Sequence, residues 1–303
     1  MNRQTLKIRK NKLGMSDSAF NVLVTVLVTI IFLVILYPLI FVVSASFSSG
    51  TALSSGRVLL WPVDFSLEGY KMVLGYQDMW IGLGNSILYV VCGVTQNMFY
   101  TLTAAYVLSR KDFYPRNAIT LFLAFTMWFS GGLIPTYMQY SYFGMVNSRL
   151  GYILMAGYGV SNVVIVRTYF QSSIPEELLE AAQMDGSSDT GYFLKIAIPL
   201  AKPMIAVQTL NYIVATWNAY MGPMIYLRDR MIKPLQLVLR EVLAATQIDA
   251  SSFSDPSLAE KMASIADVMK YSIIIVGCIP MLMIYPFIKK YFEKGMMIGS
   301  LKG

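Results

Sequence analysis

The 303-residue chain contains no histidine. That removes the commonest general base, proton shuttle and metal ligand. Cysteine is nearly absent: Cys92 and Cys278 both fall in apolar runs and read as small apolar residues rather than a disulfide pair. Charge is scarce, at 14% of residues against about 25% in a soluble domain. No G-x-x-x-x-G-K-[ST] pattern occurs, so the chain has no phosphate-binding loop of that kind; "GMMIGSLKG" has neither the spacing nor a preceding strand. The long apolar runs hold no carboxylate pair and no metal cluster, which argues against an intramembrane hydrolase. They also lack the buried titratable groups on which an ion-coupled carrier depends.

Hydrophobic residues make up 56% of the chain, gathered into six charge-free runs at about 20–44, 82–108, 117–139, 151–171, 204–227 and 271–288. Each is near the roughly 20 residues needed to cross a bilayer core. The expectation is an all-α polytopic membrane protein with six transmembrane helices. The run at 20–43 exceeds the roughly 7–15 residues of a signal-peptide core and reads as a retained helix, despite the basic residues before it and "SAS" after it. "GGLIPTY" should kink or break the third span. Arg167 alone interrupts the pattern, near the end of the fourth.

The net charge of +7 does not point to nucleic acid, because Lys and Arg collect in short segments at span ends. With residues 1–19 inside, fifteen of the 24 Lys and Arg fall on that side, so both termini are expected in the cytoplasm. The six-span domain is then 20–288, with a cytoplasmic loop at 172–203, external loops at 45–81 and 228–270, and a tail at 289–303. Residues 45–81 read as irregular. In 228–270, Pro234 can open a short helix, and Asp255-Pro256 can start one that runs into the sixth span.

One charged stretch, "EELLEAAQMDG" at 176–186, carries four carboxylates in the 172–203 loop. Ser173-x-x-Glu176 fits a capping box with Pro175 in the first turn. Leu178, Ala181 and Ala182 fall on one helical face. Gly186 can close the helix in the left-handed conformation. Ser187, Ser188 and Asp189 can cap a second helix with Phe193, Ile196 and Ala197 on one side; Pro199 is expected to stop it and Pro203 to open the fifth span. An acidic helix is a poor partner for an anionic inner leaflet, so docking on another protein is the better physical account.

"EAAQMDGSSDTGYFLKIAIPLAKP" resembles the EAA loop of ABC-importer membrane subunits: E-A-A, three residues, G, nine residues, I, one residue, L-P. Here the pattern falls on Glu180-Ala181-Ala182, Gly186, Ile196 and Ile198-Pro199, with isoleucine in place of the usual leucine. "KKYFEKGMMIGSLKG", with Gly295, Gly299, Lys302 and Gly303, is similar to the tail of carbohydrate-importer permeases related to the second permease of the maltose transporter. "TWNAYMGP" and "WPVDFSLEGY" look like the same family, and "SGGLIPTY" like its subgroup for complex or oligomeric sugars.

The resemblance implies a sugar-importing permease of a bacterial cell membrane that forms half of a translocation pathway. Its partners would be a second, distinct permease, two ATP-binding cassette subunits and an extracytoplasmic binding protein that meets the external loops. This chain would carry no cofactor; ATP and Mg would sit on the ATPase. Glu180, Ala181, Ala182, Asp185 and Gly186, with Gly295, Gly299 and Lys302 of the tail, would contact that ATPase. Candidates for touching sugar in the spans are Asn97, Trp128, Tyr137, Gln208, Asn211, Trp217, Asn218 and Tyr220. Gln208 and Asn211, and Asn211 and Asn218, are spaced to share a face. The same residues could instead bind helix to helix or sit at headgroup level. An importer of a non-sugar solute and a non-transporting scaffold remain the alternatives.

Overall fold

The computed structural model describes residues 17–155, 157, 159–245 and 256–300. Most of the expected basic N-terminal segment, Asp255, Lys302 and Gly303 lie outside them. Every regular element among the described residues is helical. The chain divides into two compact units, residues 1–73 with 245–275 and residues 74–244 with 276–303.

The first unit holds α1 (Asp17–Ser46), α2 (Gly50–Ser54), α3 (Glu68–Gly75, to residue 73) and part of a long final helix. The segment after α1 is more ordered than its Gly and Ser content implied. Ser49 Oγ accepts from Ala52 N at 3.2 Å and caps α2. Ser44 Oγ donates to Leu60 O at 2.7 Å, and Tyr70 OH to Ser46 Oγ at 2.8 Å. Gly50 and Gly69 lie so close to the final helix that a Cβ would meet Ser264 O at 2.6 Å and Ser272 Oγ at 2.4 Å. Small residues here let two backbones approach, the usual device where lipid supplies no hydrophobic drive.

The second unit is built on α4 (Gln77–Ser109), a 33-residue helix without proline. The third span is broken as "GGLIPTY" predicts, into α5 (Arg116–Trp128) and α6 (Leu133–Tyr142), bent by 113°. Gly132 enters α6 at φ +83°, in the left-handed region. The fourth span is α7 (Arg149–Met155) and α8 (Val160–Ser173), bent by 51°. The loop that follows carries α9 (Glu177–Met184), α10 (Asp189–Tyr192), a π-helical turn at Phe193–Ala197 and α11 (Ile198–Leu200).

The fifth span, α12 (Lys202–Trp217), ends earlier than expected and is followed by the separate α13 (Met221–Tyr226). A 3₁₀ turn at Arg230–Ile232 and α14 (Leu235–Ala245) lead to α15 (Pro256–Ser300), which runs unbroken into the sixth span as its sequence predicts. Among the described residues, three helices are long and apolar enough to cross a membrane, and three bent pairs, the last joining the loop helices at 189–200 to α12, bring the number of spans to as many as six.

Two local expectations fail. Ser173 does not cap α9: it is the last residue of α8, which stops before Ile174-Pro175 because the residue before proline is driven out of the helical region. Glu176 takes the cap position without a side-chain bond. Pro199 does not stop the second helix. The widened turn lets Ile198 N bond to Phe193 O, five residues back, and the helix passes Pro199 to end at Leu200.

Candidate functional site

The loop after α8 folds against the bundle through one face only. Ala182 joins a buried cluster with Ala105, Leu108, Val163, Phe170 and Tyr192, with Leu179 half-buried beside it. The apolar patch read from the sequence is therefore split. Ala182 turns inward with Leu179, whereas Leu178 and Ala181 face solvent with Glu177, Glu180 and Asp185. Met184, 89% exposed, shares that outer side.

Gly186 closes the helix at φ +76°. Ser187 N bonds to Ala182 O at 2.9 Å and Gly186 N to Gln183 O at 3.0 Å, the paired bonds of a Schellman motif. Ser188 Oγ then accepts from Gly191 N at 3.1 Å and starts α10. Phe193, Ile196 and Ala197 pack inward together, as their spacing predicts, with Tyr192 buried beside them. The Phe193 ring lies 4.6 Å from that of Tyr106 on α4.

The turn between α4 and α5 bears on this loop. Arg110 donates to both carboxylate oxygens of Asp112 and, at 3.0 Å, to Tyr106 OH; it also pairs with Asp189 at 3.2 Å. Lys111 pairs with Glu176. A cavity of about 520 Å³ opens between Arg110, Lys111, the end of α8 and the start of α9. The Asp112 hydrogen bonds raise the Arg110 guanidinium above its ordinary value and, in return, hold the Asp112 carboxyl below the usual carboxylate range. In the sequence these two cations counted only as topology signals. Their partners stand 65 and 79 positions on, so no local pattern exposed them.

Gly295 and Gly299 lie on α15. The eight candidates in the spans scatter. Gln208 on α12 is 1% exposed and Asn97 on α4 is buried; neither Gln208 amide atom nor Asn97 Oδ1 meets a hydrogen-bonding partner among the described residues. Gln208 is buried and Asn211, three residues on along α12, is exposed, so the edge of the packed face runs between them; Asn211 and Asn218 are both exposed. Trp217 is buried, with Nε1 donating to Gly277 O at 3.2 Å, and ties α12 to α15. Trp128, 84% exposed, ends α5 at the break. Tyr220 carries the Arg240 guanidinium 4.4 Å over its ring.

Tyr137 stacks on Tyr226 at 5.9 Å and accepts from Arg228 Nη2 at 2.7 Å. Asn147 Oδ1 fixes this corner by accepting from Arg228 N and Asp229 N. In the sequence Arg228 stands one residue beyond the apolar run at 204–227, where it counts only as a cation at a span end.

At the far end of α4, Asp78 pairs with Arg230. Asn85 Nδ2 donates to Met231 O and Lys233 O, Tyr89 OH donates to Ile232 O, and Ser86 Oγ accepts from Leu235 N.

Comparison with known proteins fits this architecture. A family model described as "Binding-protein-dependent transport system inner membrane component" matches residues 10–298. The polygalacturonan/rhamnogalacturonan transport system permease protein YtcP of Bacillus subtilis (strain 168) is 35% identical over 95% of this chain and 100% of its own length. The arabinooligosaccharides transport system permease protein AraQ of Halalkalibacterium halodurans is 25% identical over 93% and 96%. A chain in the crystal structure of a bacterial ABC transporter involved in the import of the acidic polysaccharide alginate superposes with a TM-score of 0.81, at 34% identity, covering 91% of this chain and 97% of that one. This multi-pass membrane protein belongs to the family of inner-membrane components of binding-protein-dependent transport systems.

Proposed function

We propose that the chain is one of two different permease subunits of an ATP-driven importer of oligosaccharides in a bacterial plasma membrane, with both termini in the cytoplasm. It forms half of the translocation pathway. ATP and Mg are held by two separate cassette subunits, and an extracytoplasmic binding protein delivers the sugar to the segments at 45–81 and 228–270. The observation that carries the coupling role is the exposed face of α9. Glu180, Ala181 and Asp185 stand out from a helix that is anchored by Ala182 and stopped at Gly186. Small residues there permit close approach, and Glu180 offers a carboxylate to a basic group on the ATPase. Gly295, Gly299 and Lys302 would add a second contact from the tail.

The sugar reading is supported by relatives named for polygalacturonan/rhamnogalacturonan and arabinooligosaccharides and by the alginate importer. Within the chain, Arg228 beside the Tyr137 and Tyr226 rings supplies an aromatic platform with a cation, a combination suited to a sugar acid. Asn97, Trp128, Gln208, Asn211, Trp217, Asn218 and Tyr220 remain candidates along the pathway.

The test is purification of the tagged chain in mild detergent, identification of what comes with it, and reconstitution into liposomes. A second permease, an ATPase and ATP-dependent oligosaccharide uptake are expected. Glu180→Lys should abolish uptake while the binding protein still holds its sugar. Recovery of the chain alone, without uptake, would favour a scaffold.

A further inference from the structure

We infer that the turn between α4 and α5 grips the coupling helix α9 on both flanks, Lys111 at its start and Arg110 just beyond its end, so that α4 carries the motion of that helix across the permease. The inference rests on the coupling role proposed above for α9. Neither basic residue lies in the E-A-A pattern.

α9 is weakly seated by packing. Only Ala182 is fully buried, and the cavity of about 520 Å³ lies beside its first turn, lined by Glu176, Glu177 and Leu179 from the loop and by Arg110 and Lys111 from the turn. Beyond the packing of α10 and the π turn, two ion pairs on adjacent residues of one turn flank α9 itself. Lys111 meets Glu176, the cap residue of α9. Arg110 meets Asp189, the first residue of α10 and the third after Gly186.

The two grips differ in kind. Lys111 is 71% exposed, and pairs of that sort hold weakly. The Arg110 side chain is 10% exposed and spends its planar fork on Asp112, Tyr106 and Asp189 at once. A lysine cannot reproduce that geometry. Arg116 Nη1 adds a bond to Arg110 O at 2.9 Å, which fixes the turn itself.

Arg110 is also the cap residue of α4. At 1.5 Å per residue the 33 residues of α4 span about 50 Å. With no proline or break, α4 moves as a rod. Its opposite end holds the 230–235 segment through Asp78, Asn85, Ser86 and Tyr89. A displacement of α9 therefore reaches that segment through one continuous element.

The experiment uses the complete reconstituted complex and reads sugar imported per ATP hydrolysed, with subunit recovery as a control. Arg110→Gln and Lys111→Glu should assemble and hydrolyse ATP within about twofold of the unaltered complex. Sugar per ATP should fall at least tenfold in Arg110→Gln and less in Lys111→Glu. Arg110→Lys should recover little. Glu176→Lys introduced with Lys111→Glu should restore the ratio by reversing the pair. An unchanged ratio in Arg110→Gln, equal loss of hydrolysis and uptake, or no restoration by the reversed pair overturns the grip. If the unaltered complex neither hydrolyses ATP nor imports sugar, the importer reading itself fails, and the grip with it.

Discussion

Gly186 allows the docking geometry to be separated from the chain's own strain. Its φ of +76° costs an L-residue about 1–2 kcal/mol. A Cβ placed there meets nothing within 4 Å, so no steric cost within the chain adds to this. An alanine should therefore shift the closed turn toward its open form by about 5–30-fold. Hydrogen exchange at two amides reads this directly, because Gly186 N and Ser187 N make the closing bonds to Gln183 O and Ala182 O. In the isolated permease, Gly186→Ala and Gly186→Trp should speed their exchange about equally. Gly186→Asn should lie close to glycine, since asparagine tolerates the left-handed region. If α9 docks as proposed, uptake should rank differently, with tryptophan far below alanine, because a partner subunit would then occupy the open space beside Gly186. Unchanged exchange in Gly186→Ala would refute the backbone argument. Equal uptake with alanine and tryptophan would refute the docking one.

Tyr212→Phe removes the 2.6 Å bond between Tyr212 and Thr101 that joins α12 to α4; unfolding in mixed micelles should show a loss of about 0.6 kcal/mol, and at most about 1.7. Arg228→Gln should lower uptake of an acidic oligosaccharide several-fold more than that of a neutral one of equal length; equal losses would mean that Arg228 only braces Tyr137. Asp112 has a depressed carboxyl, so its tie to Arg110 is complete above the ordinary carboxylate range and lost only as pH falls through the lowered value. Protection of the α4–α5 turn should then persist at about pH 5 and decline in stronger acid, and Asp112→Asn should abolish that decline.

The span layout was legible because lipid imposes a simple demand: long runs without charge, with cations at their ends. The runs at 20–44, 82–108 and 271–288 fall on the three helices long enough to cross, the remaining three on bent helices, and the Gly-Gly-Leu-Ile-Pro run marked the break between α5 and α6. The closing glycine was legible too, since few residues other than Gly186 suit that backbone. Finer features depended on three-dimensional context. Ser173 had the right spacing for a cap, but Pro175 had already ended the helix it belongs to. Periodicity placed Leu178, Ala181 and Ala182 on one face, yet the bundle selected Leu179 and Ala182, and only packing decides between adjacent stripes. Pro199 looked like a terminator until the π turn absorbed it. Arg110 and Lys111 were visible as cations, but their partners are long-range and their number reports topology, not attachment.

The seat of the 230–235 segment on α4 has one more consequence. Asn85 and Tyr89 donate to the main-chain carbonyls of Met231, Ile232 and Lys233, Arg149 adds a second donor to Met231 O at 2.7 Å, and Ser86 takes the main-chain amide of Leu235. Apart from the Asp78–Arg230 ion pair, these bonds go to the peptide backbone, which every sequence shares. Met231, more than half exposed, can drift without loosening the seat. Such an arrangement lets the exposed side chain at residue 231 change while the internal seat stays the same, and it marks that residue as a place where an engineer could vary the surface freely.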